Sequence, residues 1–162
     1  SIGGTEWNGP AYSPADKLIY VDAVDWCTTV KLGSVRYIKG QLFLGTSNGY
    51  GNPDASSTGW ITAVDPLTGK AAWKFHAPSP MVAAVTPTAG GLVFSGDTDG
   101  NFYAFNSTTG KRLYSFYTGG SVAGGIATYM INGKQYVAVT SGNQSRTSFA
   151  QIGSPIVFVF AL

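Results

Sequence analysis

The sequence predicts an all-β protein of short antiparallel strands arranged in repeating sheets, and three observations predict it. Of 162 residues, 22 are glycine, 14% are aromatic and only 11% are charged; that composition suits tight turns and well-filled sheet faces. The stretch "AVDPLTGKAAWKF" over 63–75 returns as "AFNSTTGKRLYSF" over 104–116, at an offset of 41 residues without a gap. No stretch carries the apolar stripe of an amphipathic helix, and the glycines argue against one. Short strands with a repeat of about 40 residues are the signature of a β-propeller, whose blades are four-stranded antiparallel sheets.

The repeated unit has a local explanation. Ala63 lies over Ala104, Asp65 over Asn106, Thr68 over Thr109, Gly69 over Gly110, Lys70 over Lys111, Trp73 over Tyr114 and Phe75 over Phe116. Asp65 and Asn106 can close Asx-type turns, and Gly69 and Gly110 can supply positive φ. "DPLTG" and "NSTTG" are therefore hairpin loops between two strands. The aromatic at 73 or 114 falls on the following strand, placed to pack against a neighbouring unit.

Other strands surround these two hairpins. "KLIYVDA" and "QLFLGTS" precede the first. "GLVFSGDTDGNFYAF" reads as strand, turn over Asp97–Gly100, strand. "GGIATYMINGKQYVAVTSG" reads as a hairpin turning at Asn132-Gly133, a strong hairpin signal, and "SPIVFVFAL" as a closing strand. The count gives about four blades, some incomplete, treated as one propeller segment over 1–162. The loop "TSNGYGNPDASSTGW" (46–60) is rich in turn residues and stands as a candidate binding loop or a surface excursion.

Composition also excludes. Net charge is +2 and the longest basic run is Lys111-Arg112, so no nucleic-acid footprint exists. Cys27 is the single cysteine, and one thiol forms no internal disulfide and no CxxC metal or haem motif. No apolar run approaches the ~20 residues of a membrane helix. The opening "SIGGTEWNGPAYS" has neither the basic nor the apolar region of a signal peptide.

Four stretches carry a resemblance. "GGTEWNGPAYSPADKLIYV", then "TAGGLVFSGDTDGNFYAFNSTTGK" with "INGKQYVAVTSGN", then the closing "IVFVFAL", resemble in order the C-terminal part of the quinoprotein dehydrogenases. That family is an eight-bladed propeller that uses pyrroloquinoline quinone (PQQ) and a divalent ion such as calcium to oxidise alcohols or sugars. The resemblance implies that this chain supplies about half of such a ring and one wall of the cofactor site. The remaining blades would come from a longer chain or from a second copy in a homodimer. It further implies a periplasmic location and a separate cytochrome or quinone as electron acceptor.

The same resemblance marks candidate cofactor neighbours. Glu6 stands where the family's "GGxNW" has Asn, and Trp7 matches. Met81 in "PSPMVAAV" stands where the family often has a ring-covering Trp. Gly142-Asn143 stands where the family has "GW". Each has a plainer reading: Trp7 as core, Met81 as packing, Glu6 as an exposed loop carboxylate, Gly142-Asn143 as a turn, and His76 as structural. The family's catalytic Asp and its metal-binding Glu and Asn match nothing here, and no paired carboxylates replace them. The chain alone is expected to be inactive. The competing expectation is a propeller that has lost the cofactor and serves as a binding or scaffold protein; a membrane-attached assembly scaffold built from similar repeats ranks last.

Overall fold

The computed structural model describes residues 3–27, 31, 33–41, 43, 45, 57–142 and 153–161. Among them no helix forms, and eleven strands make three antiparallel sheets. The first sheet runs in the order β1 (Ala11–Ser13), β2 (Leu18–Asp25), β3 (Thr58–Val64) and β4 (Ala71–Ala77). The second runs β5 (Thr86–Pro87), β6 (Leu92–Gly96), β7 (Asn101–Asn106) and β8 (Arg112–Tyr117). The third has β9 (Ile126–Ile131), β10 (Lys134–Ser141) and β11 (Ile156–Ala161), with β10 in the middle. The first strands of the three sheets are neighbours, β1 against β5 and β5 against β9. The sheets thus fan out as consecutive propeller blades, each with its first strand on the inner side.

The two repeated hairpins are superimposable in their bonding. Asp65 N–H donates to the Lys70 carbonyl at 2.9 Å and Gly69 N–H to the Asp65 carbonyl at 2.8 Å; Asn106 and Gly110 make the equivalent bonds, both at 2.9 Å. The Asp65 carboxylate accepts from Leu67 N–H at 2.8 Å, and the Asn106 side-chain oxygen accepts from Thr108 N–H at 3.2 Å. Gly69 and Gly110 sit at φ 69° and 70°. Each β-bulge falls at the corresponding place, between Ala63 and Val64 and between Ala104 and Phe105.

Packing follows the period-two alternation of the strands. Tyr20, Ile61, Ala63 and Trp73 on the first sheet meet Val93, Tyr103 and Phe105 on the second. On the other face of the second sheet, Phe94, Phe102 and Ala104 meet Val137, Val139 and Phe160 of the third. The second sheet is covered on both sides, which is why β6 and β7 read as continuous apolar runs rather than as alternating ones.

Two expectations change. The strand expected over 41–47 is absent at its described residues Gln41, Phe43 and Gly45. Gly40 and Gly45 hold φ of 84° and 70°, and Gln41 N–H turns back to the Ile38 carbonyl at 3.1 Å; left-handed glycines do not extend a strand. β2 pairs directly with β3 instead, and the described residues between Asp25 and Thr58 add no strand to the sheet. The aromatic equivalence also breaks. Trp73 is buried at the seam, whereas Tyr114 is 47% exposed and only meets Phe160 edge-on at 6.2 Å. Trp73 is covered by the turn between the third and fourth strands of the next sheet, and the third sheet stops at its third strand among the described residues.

Candidate functional site

In an antiparallel meander, the chain enters the first strand and leaves the second at the same end of the sheet. The entry segments 3–10, 78–85 and 118–125 therefore share one face of the fan with the β6–β7 turn and the exit from β10 at Gly142. Hydrogen bonds tie these segments together. Gly4 and Val24 exchange two backbone bonds at 3.0 and 2.9 Å, pinning the first entry segment to the end of β2. The Asn8 amide donates to the Ala83 carbonyl at 2.8 Å, and Ala84 N–H donates to the Gly124 carbonyl at 3.0 Å. Thr98 N–H reaches the Pro80 carbonyl at 2.9 Å, Val122 N–H the Asp97 carbonyl at 3.0 Å, and Gly142 N–H the Ser121 carbonyl at 2.9 Å.

Two features give this face its shape. Asp97 is fully buried and accepts from Asn101 N–H and amide at 2.9 Å each and from the Tyr103 hydroxyl at 2.6 Å. Three donors on one carboxylate hold the β6–β7 turn in place, and the Tyr103 phenol is pushed up by burial and by the adjacent carboxylate. The second feature is a glycine junction. A Cβ on Gly120 would lie 3.0 Å from the Cα of Gly142, and one on Gly153 would lie 2.9 Å from the Cα of Gly120. Backbones approach so closely there that a side chain at either position would push its neighbour away.

The structure places the sequence-derived candidates as follows. Glu6, Trp7, Met81 and Gly142 all belong to this face; Asn143 lies outside the described residues, as does most of the 46–60 loop, whose last residues, Thr58–Trp60, open β3. Trp7 is 66% exposed, so its ring does not pack into the core of this chain. Glu6 accepts the Gly3 N–H at 3.2 Å, closing its own loop. Met81 is fully buried and packs over Gly59, where a Cβ would lie 2.5 Å from the Met81 nitrogen; its side chain is packing. His76 stacks on Trp60 at 4.1 Å and bonds the Thr58 hydroxyl at 2.9 Å, on the opposite face of the first sheet from the second sheet.

Sequence reasoning passed over Asn8. Its side-chain oxygen is buried without a hydrogen-bond partner, as is the Ser121 hydroxyl. A buried polar atom without a partner calls for an explanation, and a bound water, ion or ligand edge is one. Against this, the described parts of the entry segments and the β6–β7 turn carry no lysine or arginine. Among the described residues no cluster of three or more His, Cys, Asp or Glu could hold a metal. A tricarboxylated quinone and its divalent ion need both. Among the described residues the face offers an exposed indole and a few polar atoms, and does not fit as a complete PQQ site.

Comparison with known proteins agrees with the architecture. The family model described as outer membrane protein assembly factor BamB matches residues 55–154. A quinoprotein ethanol dehydrogenase of Pseudomonas putida is 38% identical over 141 residues, which is 87% of this chain and 23% of the relative. A 1-butanol dehydrogenase (quinone) of Thauera butanivorans is 36% identical over the same share of this chain and 22% of its own length. Among solved structures, a europium-containing methanol dehydrogenase superimposes with a TM-score of 0.71 at 30% identity, covering 87% of this chain and 26% of that one. A quinohemoprotein alcohol dehydrogenase from Comamonas testosteroni gives 0.70 at 26% identity over 98% of this chain and 26% of that one. The chain thus spans about a quarter of the length of the relatives it matches.

Proposed function

This chain belongs to the propeller family described for outer membrane protein assembly factor BamB, its relatives are quinoprotein alcohol dehydrogenases, and from that membership we propose that it forms consecutive blades of a PQQ-dependent dehydrogenase for alcohols or sugars. Its loop face is one wall of the cofactor site, and the wall is inactive by itself. The observation that carries this reading is the hydrogen-bonded loop network running from Gly4 through Ala83 and Gly124 to Gly142. That network presents Trp7 and Glu6 beside the inner strands, where a ring's axis lies.

In this reading PQQ supplies the electron acceptor for the substrate's hydride, and the divalent ion polarises the quinone. The chain's own residues do less: Trp7 offers an aromatic face, Asn8 and Ser121 offer polar edges, and Asp97 keeps the neighbouring turn rigid. The cations, the metal ligands and the base are assigned to other blades of the same assembly. A periplasmic location and a cytochrome or quinone acceptor belong to this proposal as well.

A second reading has an observation of its own. Glu6 places a carboxylate beside the wall, which repels an anionic cofactor, and Met81 is withdrawn into the core. Both fit a propeller that binds or scaffolds without a cofactor. Titration with PQQ, with and without calcium, separates the two when run on this chain and on the full product of its gene. Weak or absent binding by the chain with tight, calcium-dependent binding by the full product supports the enzyme. Absence of binding by the full product refutes it, and dye reduction with ethanol or glucose by the 162 residues alone refutes the incomplete wall.

A further inference from the structure

β2 and β6 are the second strands of the first and second sheets, and each ends at the loop face. Val24 near the end of β2 holds Gly4, and Asp97 just beyond β6 holds Val122. Two residues before each of these anchors, the two strands touch through one polar contact. Asp22 is fully buried, and its Oδ2 is hydrogen-bonded by the Ser95 hydroxyl, itself fully buried. The other carboxyl oxygen, Oδ1, has no partner.

The surroundings offer nothing to a negative charge. On the first sheet the same surface carries Tyr20, Ile61, Ala63, Trp73 and Ala77. The second sheet meets it with Val93, Tyr103 and Phe105. The two titratable groups on these surfaces are committed elsewhere: the Tyr20 hydroxyl donates to Asp16 at 2.9 Å and the Tyr103 hydroxyl to Asp97 at 2.6 Å. On the entry segment, Glu6 accepts from Gly3. The one cation packed nearby, Arg112 on β8, lies over the Phe75 and Tyr103 rings at 5.9 and 6.0 Å. A buried carboxylate with one hydroxyl partner and no cation is far more costly than the neutral acid.

We propose that Asp22 and Ser95 form a protonation-dependent latch between the first and second sheets: the acid form closes the seam, and ionisation opens it and loosens the anchoring of both strand ends at the loop face. Burial drives the Asp22 carboxyl well above the ordinary carboxylate range, and the Ser95 bond only partly offsets this. The sign follows from linkage. A folded-state pKa raised above the unfolded one gives stability that is complete below the unfolded value and lost as pH rises through the folded value. The latch is therefore closed in acid and opens toward neutral and alkaline pH.

The test is urea unfolding of the full chain and of Asp22→Asn between pH 4 and pH 9. Asparagine keeps the shape and removes the titration. The ratio of the two unfolding constants should change tenfold per pH unit above the unfolded carboxylate pKa of about 3.9, until Asp22 ionises in the fold. Wild type should weaken relative to the variant as pH rises; parallel curves overturn the proposal. Should D22N not fold, infrared spectroscopy of wild type decides. A protonated carboxylic acid carbonyl band at pH 6 that vanishes on alkalinisation supports the latch, and its absence at pH 6 overturns it. At pH 8 the Gly4 and Val24 amides should exchange with solvent faster in wild type than in D22N, and equal rates would detach the latch from the loop face.

Discussion

The indole N–H of Trp73 on β4 donates to the backbone carbonyl of Ser107 at 2.7 Å, across the seam between the first and second sheets. Ser107 begins the repeated turn of the second sheet, so one unit's conserved-spacing aromatic reads the next unit's turn. The same carbonyl also accepts from the Tyr20 hydroxyl at 3.1 Å. Trp73→Phe keeps an aromatic and removes the donor. It should cost about 0.5–1.5 kcal/mol, the net range for one hydrogen bond whose acceptor keeps another partner, while Trp73→Ala should cost about 3–5 kcal/mol through the cavity. Urea unfolding followed by circular dichroism measures both, and equal losses would mean that the N–H, not the ring's volume, carries the seam.

The two turn glycines should part company on substitution. Both occupy left-handed backbone, so alanine at either costs roughly 1–2 kcal/mol in conformation. Around Gly69 a new Cβ meets nothing within 4 Å, whereas at Gly110 it would lie 2.5 Å from the Trp73 ring. Gly110→Ala should lower the thermal midpoint well beyond Gly69→Ala. Equal midpoints would show that the ring moves aside freely.

Particular residues explain what could be read ahead of the structure. The repeated turns were legible because Asp or Asn followed by Gly at that spacing encodes its own geometry locally; Asn132-Gly133 is another case, with φ of 50° and 76°. The direct pairing of β2 with β3 was hidden, because it is non-local and the intervening "QLFLGTS" has a strand's composition. About four units, some incomplete, were expected, and the described residues form three sheets. On the loop face, Glu6 and Gly142 stood out by departing from a motif and Trp7 by matching it. Asp22 left no such signal: in "KLIYVDA" it reads as an ordinary solvent-facing position, and only the packing of a second sheet makes it interior.

Glu6→Asn tests the wall directly. Under the proposed reading, the substitution would remove a negative charge beside an anionic cofactor and supply a side-chain donor. In the full gene product, PQQ affinity should rise by about tenfold, the ~1.4 kcal/mol of one charge-assisted hydrogen bond. Absorbance titration measures it. Unchanged affinity would remove Glu6 from the wall and favour the scaffold reading.

Asp16 should titrate in the opposite sense to Asp22. Its carboxylate accepts from the Ser13 hydroxyl at 2.8 Å and the Tyr20 hydroxyl at 2.9 Å. Slight burial raises its pKa, and these bonds outweigh it and hold the group below the ordinary range. A lowered folded-state pKa gives stability that is present above the unfolded value of about 3.9 and lost as pH falls through the folded one. Asp16→Asn should therefore be less stable than wild type at pH 6 and converge with it in strong acid. A gap that persists unchanged at low pH would mean the loss is steric.

The third sheet makes the last prediction. Its face away from the second sheet carries Tyr129, Ile131, Tyr136, Val157 and Val159. Tyr129 stacks on Tyr136 at 5.4 Å, and Val157 and Val159 are 63% and 54% exposed. Among the described residues β11 is also an unpaired edge, where the other sheets carry a fourth strand. An apolar face beside an open edge promotes self-association. Val159→Lys puts a charge on that exposed face, at its open edge, without touching the half-buried Phe158 and Phe160 side of β11. Sedimentation velocity should show less concentration-dependent association for the variant, with an unfolding midpoint close to wild type. An unfolding midpoint that falls sharply instead would place Val159 inside the packed structure rather than on its open face.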